Sequence, residues 1–146
     1  MLPANFKDCL VETVASALER MAFMVGEPID EISDAEGRAS CIRVTVDGAN
    51  YQVCVRATDG ALLELLASLV DSESFDDEEA QLAVNELANV LGGEILRVLG
   101  GDLRPSELGL PKSGDTVDED ERTIRCALDF MGETIAVGVT PIGACP

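Results

Sequence analysis

Glu86 and Asn89 stand three residues apart in the stretch VNELANVLGGEIL, Val84 to Leu96. On a helix that spacing sets a carboxylate and a carboxamide side by side, a pair able to accept and donate hydrogen bonds to a second surface. Gly92 and Gly93 follow at once, although each glycine inside a helix costs about 1 kcal/mol relative to alanine. At roughly 100° per residue, Val84, Leu87, Leu91, Ile95 and Val98 form an apolar stripe that must face the core. Glu86, Asn89 and Gly93 fall with Leu82 in an outward sector of roughly 60° on the same geometry. Gly93 leaves bare backbone one turn beyond Asn89, so the glycines make room for a partner while Glu86 and Asn89 meet its polar groups. Glu-x-x-Asn alone is also an ordinary pattern for a solvated helix face, and paired glycines also permit tight packing against a neighbouring helix, so helical geometry leaves both readings open.

The rest of the composition narrows the chemistry. Histidine is absent, which removes Ser-His and Cys-His nucleophiles and histidine-based metal sites and leaves carboxylates, amides, thiols and hydroxyls. No segment has the spacing of a calcium loop, and no metal or cofactor is expected to be bound by this chain. The five cysteines, Cys9, Cys41, Cys54, Cys126 and Cys145, are an odd number without C-x-x-C spacing. They argue against a disulfide framework or zinc cluster, and the first four read as small hydrophobes in a reduced protein.

Asp and Glu number 28 against 10 Lys and Arg, a net charge of −18 that repels phosphate backbones and anionic membranes. Aromatics are 3% and Trp is absent, so stacking platforms for single strands are lacking. Neither nucleic acid nor membrane is an expected partner. The start, MLPANFKDCLVETV, has no basic n-region with an apolar core, and no run is apolar enough to span a bilayer, which predicts a cytoplasmic protein.

Length and a 47% hydrophobic fraction fit one domain over residues 1–146. Leu10, Val14, Leu18, Met21 and Ala22 mark an amphipathic helix over Asn5–Met24, stopped by Gly26 to Pro28. SCIRVTV and YQVCVRA flank Asp47-Gly48 as a hairpin with a slightly long turn, Ile42, Val44 and Val46 on one face and Tyr51, Val53 and Val55 on another. Ala61–Val70 reads as a short apolar helix. After the acidic run Asp71–Glu79 comes the long helix, Asp77–Val98, its first-turn acids complementing the helix dipole. Gly100–Glu121 reads as a connection. A second hairpin follows, alternating at Ile124, Cys126, Leu128 and Phe130, then at Ile135, Val137 and Val139 around Met131-Gly132-Glu133. The expected fold is α+β: a twisted antiparallel sheet with two long amphipathic helices packed on one face, built from pseudo-repeated α-β-β units.

ELANVLGGEI, with Glu86, Asn89, Gly92 and Gly93, resembles the signature helix of the CheX branch of the CheC/CheX/FliY chemotaxis phosphatases. LGLPKSG, Leu108 to Gly114, is similar to the short Pro-containing stretch that family places before its final strands, and ALERMAFMVGEP, Ala17 to Pro28, resembles its first helix. The resemblance implies a CheC-like fold and hydrolysis of the phosphoaspartate on a CheY-type response-regulator receiver domain. It implies that Asn89 orients the attacking water and that Glu86 pairs with the receiver's active-site lysine. Gly92 and Gly93 would serve docking. Mg²⁺ would be held by the receiver, and the chain would form a homodimer. The two-site CheC branch repeats Glu-x-x-Asn on the first helix. The matching stretch here, Glu19-Arg20-Met21-Ala22, has alanine in place of the amide, so one site is expected. Two rival readings remain: a non-catalytic receiver-binding module of the same fold, and thiol redox chemistry, which the core-like cysteine positions disfavour.

Overall fold

The computed structural model describes residues 2, 4–29, 37–70, 76–100, 105–113 and 121–142. In chain order the elements are α1 (Phe6–Ala22), β1 (Glu27–Ile29), β2 (Arg38–Val46), β3 (Ala49–Ala57), α2 (Asp59–Val70), α3 (Asp77–Val98), β4 (Ser106–Leu108), β5 (Lys112–Ser113), β6 (Ile124–Phe130) and β7 (Glu133–Ile142). Cys145, residues 71–75 of the acidic run and residue 114 of the Pro-containing stretch lie outside the described residues.

The strands form one antiparallel sheet in the order β1-β6-β7-β3-β2-β4, with β5 also on the free edge of β2. Both hairpins turn through two residues at positive φ, Asp47 (51°) with Gly48 (83°) and Met131 (56°) with Gly132 (94°). Two-residue loops of this kind match the strand twist and lock the register. The first turn is therefore tight rather than slightly long, and Glu133 is the first residue of β7 rather than part of a loop. Register also corrects the face assignment: Ile42 lies opposite Val53 and Val44 opposite Tyr51, so both apolar sets point the same way. Together with Cys126, Leu128, Ile135, Val137 and Val139 they meet the apolar faces of the helices in one core.

Three short strands lie where sequence pattern suggests only connections. β1 pairs with β6, while β4 and β5 pair with β2. At two or three residues each, they are too short to display a period of two. Their partners place them, and they cap the sheet with short edges.

The connectivity is intertwined. α1 packs over β6 and α3 over β2, so each long helix covers the hairpin of the other half. The short strand following each helix likewise joins the other half's hairpin. The two α-β-β units of the sequence are thus exchanged across the sheet.

The register also sets Cys41 directly opposite Cys54, with Cα atoms 4.2 Å apart, and the two form a disulfide. This overturns the reading of both as reduced hydrophobes: they lie on the sheet face away from the helices, where one hairpin pair holds them within bonding reach. Cys9 and Cys126 are free thiols, and burial pushes the Cys126 thiol up to about 12, leaving it neutral in the core.

Candidate functional site

α3 is held from its first turn. Asp76 caps it, accepting a hydrogen bond from the Glu79 amide at 2.8 Å, and Asp77, Glu78 and Glu79 place negative charge at the positive end of the dipole. Arg38, at the start of β2, ion-pairs with Asp77 and with Asp59 at the head of α2, tying both helices to the sheet. The hydrogen bond to Asp77 contributes most to raising the guanidinium pKa, so Arg38 stays charged. Inward, Val84, Leu87, Leu91 and Ile95 are buried as their spacing requires. Truncating such a leucine to alanine costs about 2–5 kcal/mol, so the helix cannot roll to present another face. Val98 departs from the expected stripe: it is 44% exposed and lines the groove toward α1 with Glu94 and Arg97, while Leu96 and Leu99 pack against the core.

Rotation of the helix is therefore set, and the outward sector carries the predicted pair. Leu82 is 61% exposed, Glu86 is exposed, and Asn89 and Gly93 are partly exposed. Among the described residues, neither Glu86 nor Asn89 has a hydrogen-bond or ion-pair partner. Asn85 differs, since its side-chain oxygen accepts a hydrogen bond from Gln81, which also donates to the Ala39 carbonyl. Of the two asparagines on this stretch, Asn89 is the one left open to a second molecule.

The two glycines separate. Gly92 is buried, and a Cβ there would lie 2.8 Å from Ile42 Cγ2 and 3.2 Å from Leu108 Cδ1. Its missing side chain lets α3 approach β2 and β4, so Gly92 serves internal packing and not partner docking. Gly93 faces outward, and a Cβ there would meet only Leu108 Cδ2, at 4.0 Å. Bare backbone beside Asn89 is thus supplied by Gly93 alone.

The segment from Leu108 to Lys112 forms a wall beside this surface. Leu108 lies at Gly92 while Lys112 is paired with Cys41, two residues along β2 from the Ala39 that Gln81 reaches. The segment therefore runs back along the helix from Gly92 toward Gln81. The Gly109 amide donates to the Arg43 carbonyl at 2.8 Å, clamping the turn, and Leu110 stands 83% exposed at its tip.

On α1, Glu19 is exposed but Ala22 is 2% exposed and packed in the core. The position three residues after Glu19 therefore points into the core and not outward beside it. Sequence reading missed a cluster between the helices, where Glu94 ion-pairs with Arg20 at 3.4 Å and with Arg97 at 3.5 Å. Glu94 and Arg97 at i,i+3 carried a visible signal; the link to Arg20 depended on helix packing.

No model of a known sequence family matches the chain, and no curated protein sequence matches it. Solved structures do. A CheC-like superfamily protein from Shewanella sp. PV-4 superposes with a TM-score of 0.76 at 16% identity, covering 97% of this chain and all of that one. The chain has the CheC-like fold. Chemotaxis protein CheX from Vibrio vulnificus gives 0.76 at 15% identity, over 95% of this chain and 97% of its own. A CheX–CheY–BeF3–Mg²⁺ complex from Borrelia burgdorferi gives 0.71 at 14%, over 93% and 97%. Among the described residues no helix is long and apolar enough to cross a membrane.

Proposed function

We propose that this chain accelerates hydrolysis of the phosphoaspartate on a CheY-type response-regulator receiver domain. The observation that carries the reading is the outward Glu86–Asn89 pair, unengaged within the described chain and bordered by bare backbone at Gly93. Support comes from the shared CheC-like fold, one example of which was solved with CheY, BeF3 and Mg²⁺.

In the proposed reaction a water attacks phosphorus in line, the bond between phosphorus and the aspartate oxygen breaks, and inorganic phosphate leaves with the carboxylate restored. Asn89 enters the receiver's site, and its carboxamide holds the water as both acceptor and donor. Glu86 forms an ion pair with the receiver's active-site lysine and fixes the register of docking. Mg²⁺ belongs to the receiver and neutralises the phosphoryl oxygens there; this chain supplies no ligand to it.

The test is a phosphate-release screen against purified phosphorylated receivers from the same genome. Acceleration by the wild-type chain, with binding weakened in Glu86→Ala, is the expected result. A receiver that binds without faster hydrolysis would leave a non-catalytic regulatory module instead. Homodimerisation in the cytoplasm completes the proposal, and sedimentation showing a stable monomer at micromolar concentration would remove the dimer from it.

A further inference from the structure

We infer that the groove between α1 and α3 is a second recognition element for the same partner, in which Arg20 and Arg97 receive a carboxylate-bearing surface of the docked receiver. The inference rests on the phosphatase reading of Glu86 and Asn89. The groove has a volume of about 370 Å³ and is lined by Glu12, Ser16, Arg20, Glu94, Arg97 and Val98, among others. Glu94 sits at its centre with only 19% of its side chain exposed, one carboxylate oxygen on each arginine. The two guanidiniums above it are 61% and 58% exposed. Arg20 is further held by donating from Nε to the Ser16 carbonyl at 3.4 Å. Glu94 thus orients two cations outward, and a guanidinium has five donors with which to take a carboxylate.

Charge and distance connect the groove to the candidate site. Two arginines, each more than half exposed, gather positive charge in this groove on a chain of net charge −18. A phosphorylated receiver presents an anionic face, because Mg²⁺ beside a phosphoryl group is held by carboxylates. Such a partner is repelled by most of this molecule, and the groove is a place beside Asn89 where the repulsion relaxes. Eight residues separate Asn89 from Arg97 on one helix, about 12 Å at the rise of an α-helix. A protein interface of ordinary size covers roughly 800 Å² per partner, a disc of about 16 Å radius. A receiver centred on Asn89 therefore covers Arg97, and the Glu94 bridge brings Arg20 with it. Exposed ion pairs add little to folding stability, so the cluster can be altered without unfolding the chain.

The experiment measures kcat and KM for phosphate release from a purified CheY-type receiver phosphorylated with acetyl phosphate, at low and high ionic strength. For Arg20→Gln with Arg97→Gln, the expected result is a KM raised about tenfold, kcat within about twofold and a flatter salt dependence, as for charges that act on encounter rather than chemistry. Glu94→Gln should move KM the opposite way, since it removes the negative charge and leaves both cations. A purely structural cluster would not produce opposite signs. If the double variant is unstable by circular dichroism, adding Glu94→Gln removes the stranded carboxylate, and KM should still exceed that of Glu94→Gln alone. Wild-type turnover with KM unchanged in these variants overturns this inference and leaves the phosphatase reading standing. If the wild type neither binds nor dephosphorylates any receiver, the phosphatase reading falls and takes this inference with it.

Discussion

The two long helices are counterparts in the exchanged halves of the sheet, yet only one carries a candidate site. α1 lies on β6 and α3 on β2, each burying an apolar stripe. On α3 a carboxylate and an amide at i,i+3 both escape that stripe; on α1 the residue three after Glu19 is Ala22, inside the core. Equivalent placement in a fold therefore does not confer equivalent chemistry. What matters is the phase of the polar residues against the buried stripe, and a shift of one position is about 100° around the helix.

The comparison can be broken most sharply at Asn89. Asn89→Ala should leave the circular dichroism spectrum unchanged yet lower phosphate release from a phosphorylated receiver by on the order of 10²-fold, as removal of a positioning and transition-state contact does. Full activity in that variant would discard the water-positioning role even if the fold family stands. Installing the missing amide on the other helix should fail for a reason of packing. Ala22→Asn buries an unpaired carboxamide, with an expected loss of about 1–3 kcal/mol in denaturant unfolding and no gain in phosphate release.

The adjacent glycines should respond with opposite signs. Gly92→Ala pushes a methyl into Ile42 and Leu108, and overpacking of this kind costs about 1–3 kcal/mol. Gly93→Ala meets no such contact and should gain up to about 1 kcal/mol from helix propensity. The same variant should weaken receiver binding in a titration, because its methyl occupies the approach beside Asn89. A loss of stability at Gly93 with unchanged binding would show that its backbone is not a docking surface. The smallest effect belongs to Glu19→Ala, for which turnover and unfolding midpoint should match wild type.

Local signals explain why some features were legible beforehand. α3 runs over Asp77–Val98 as its pattern indicated, since an acidic first turn and a 3.6-residue period both lie within the segment. Glu86 and Asn89 were legible for the same reason: their direction follows from the apolar stripe on their own helix. Both hairpins were legible from alternation and turn glycines, but the two-residue length at Asp47-Gly48 required the pairing of Val46 with Ala49.

The sequence by itself determined what short-range geometry controls: the helices and their inward faces, the alternating strands, the outward pair at Glu86 and Asn89, the absence of histidine and the acidic balance. Only the tertiary structure decided which halves exchange, that Glu27–Ile29 and Ser106–Leu108 are strands, and that Cys41 reaches Cys54. It alone decided that Gly92 packs against Ile42 and Leu108, and that Arg20 joins Glu94 across two helices. Each of these depends on residues far apart in the chain being brought within a few ångströms, and the energy of such contacts comes from packing and register, which no local period encodes.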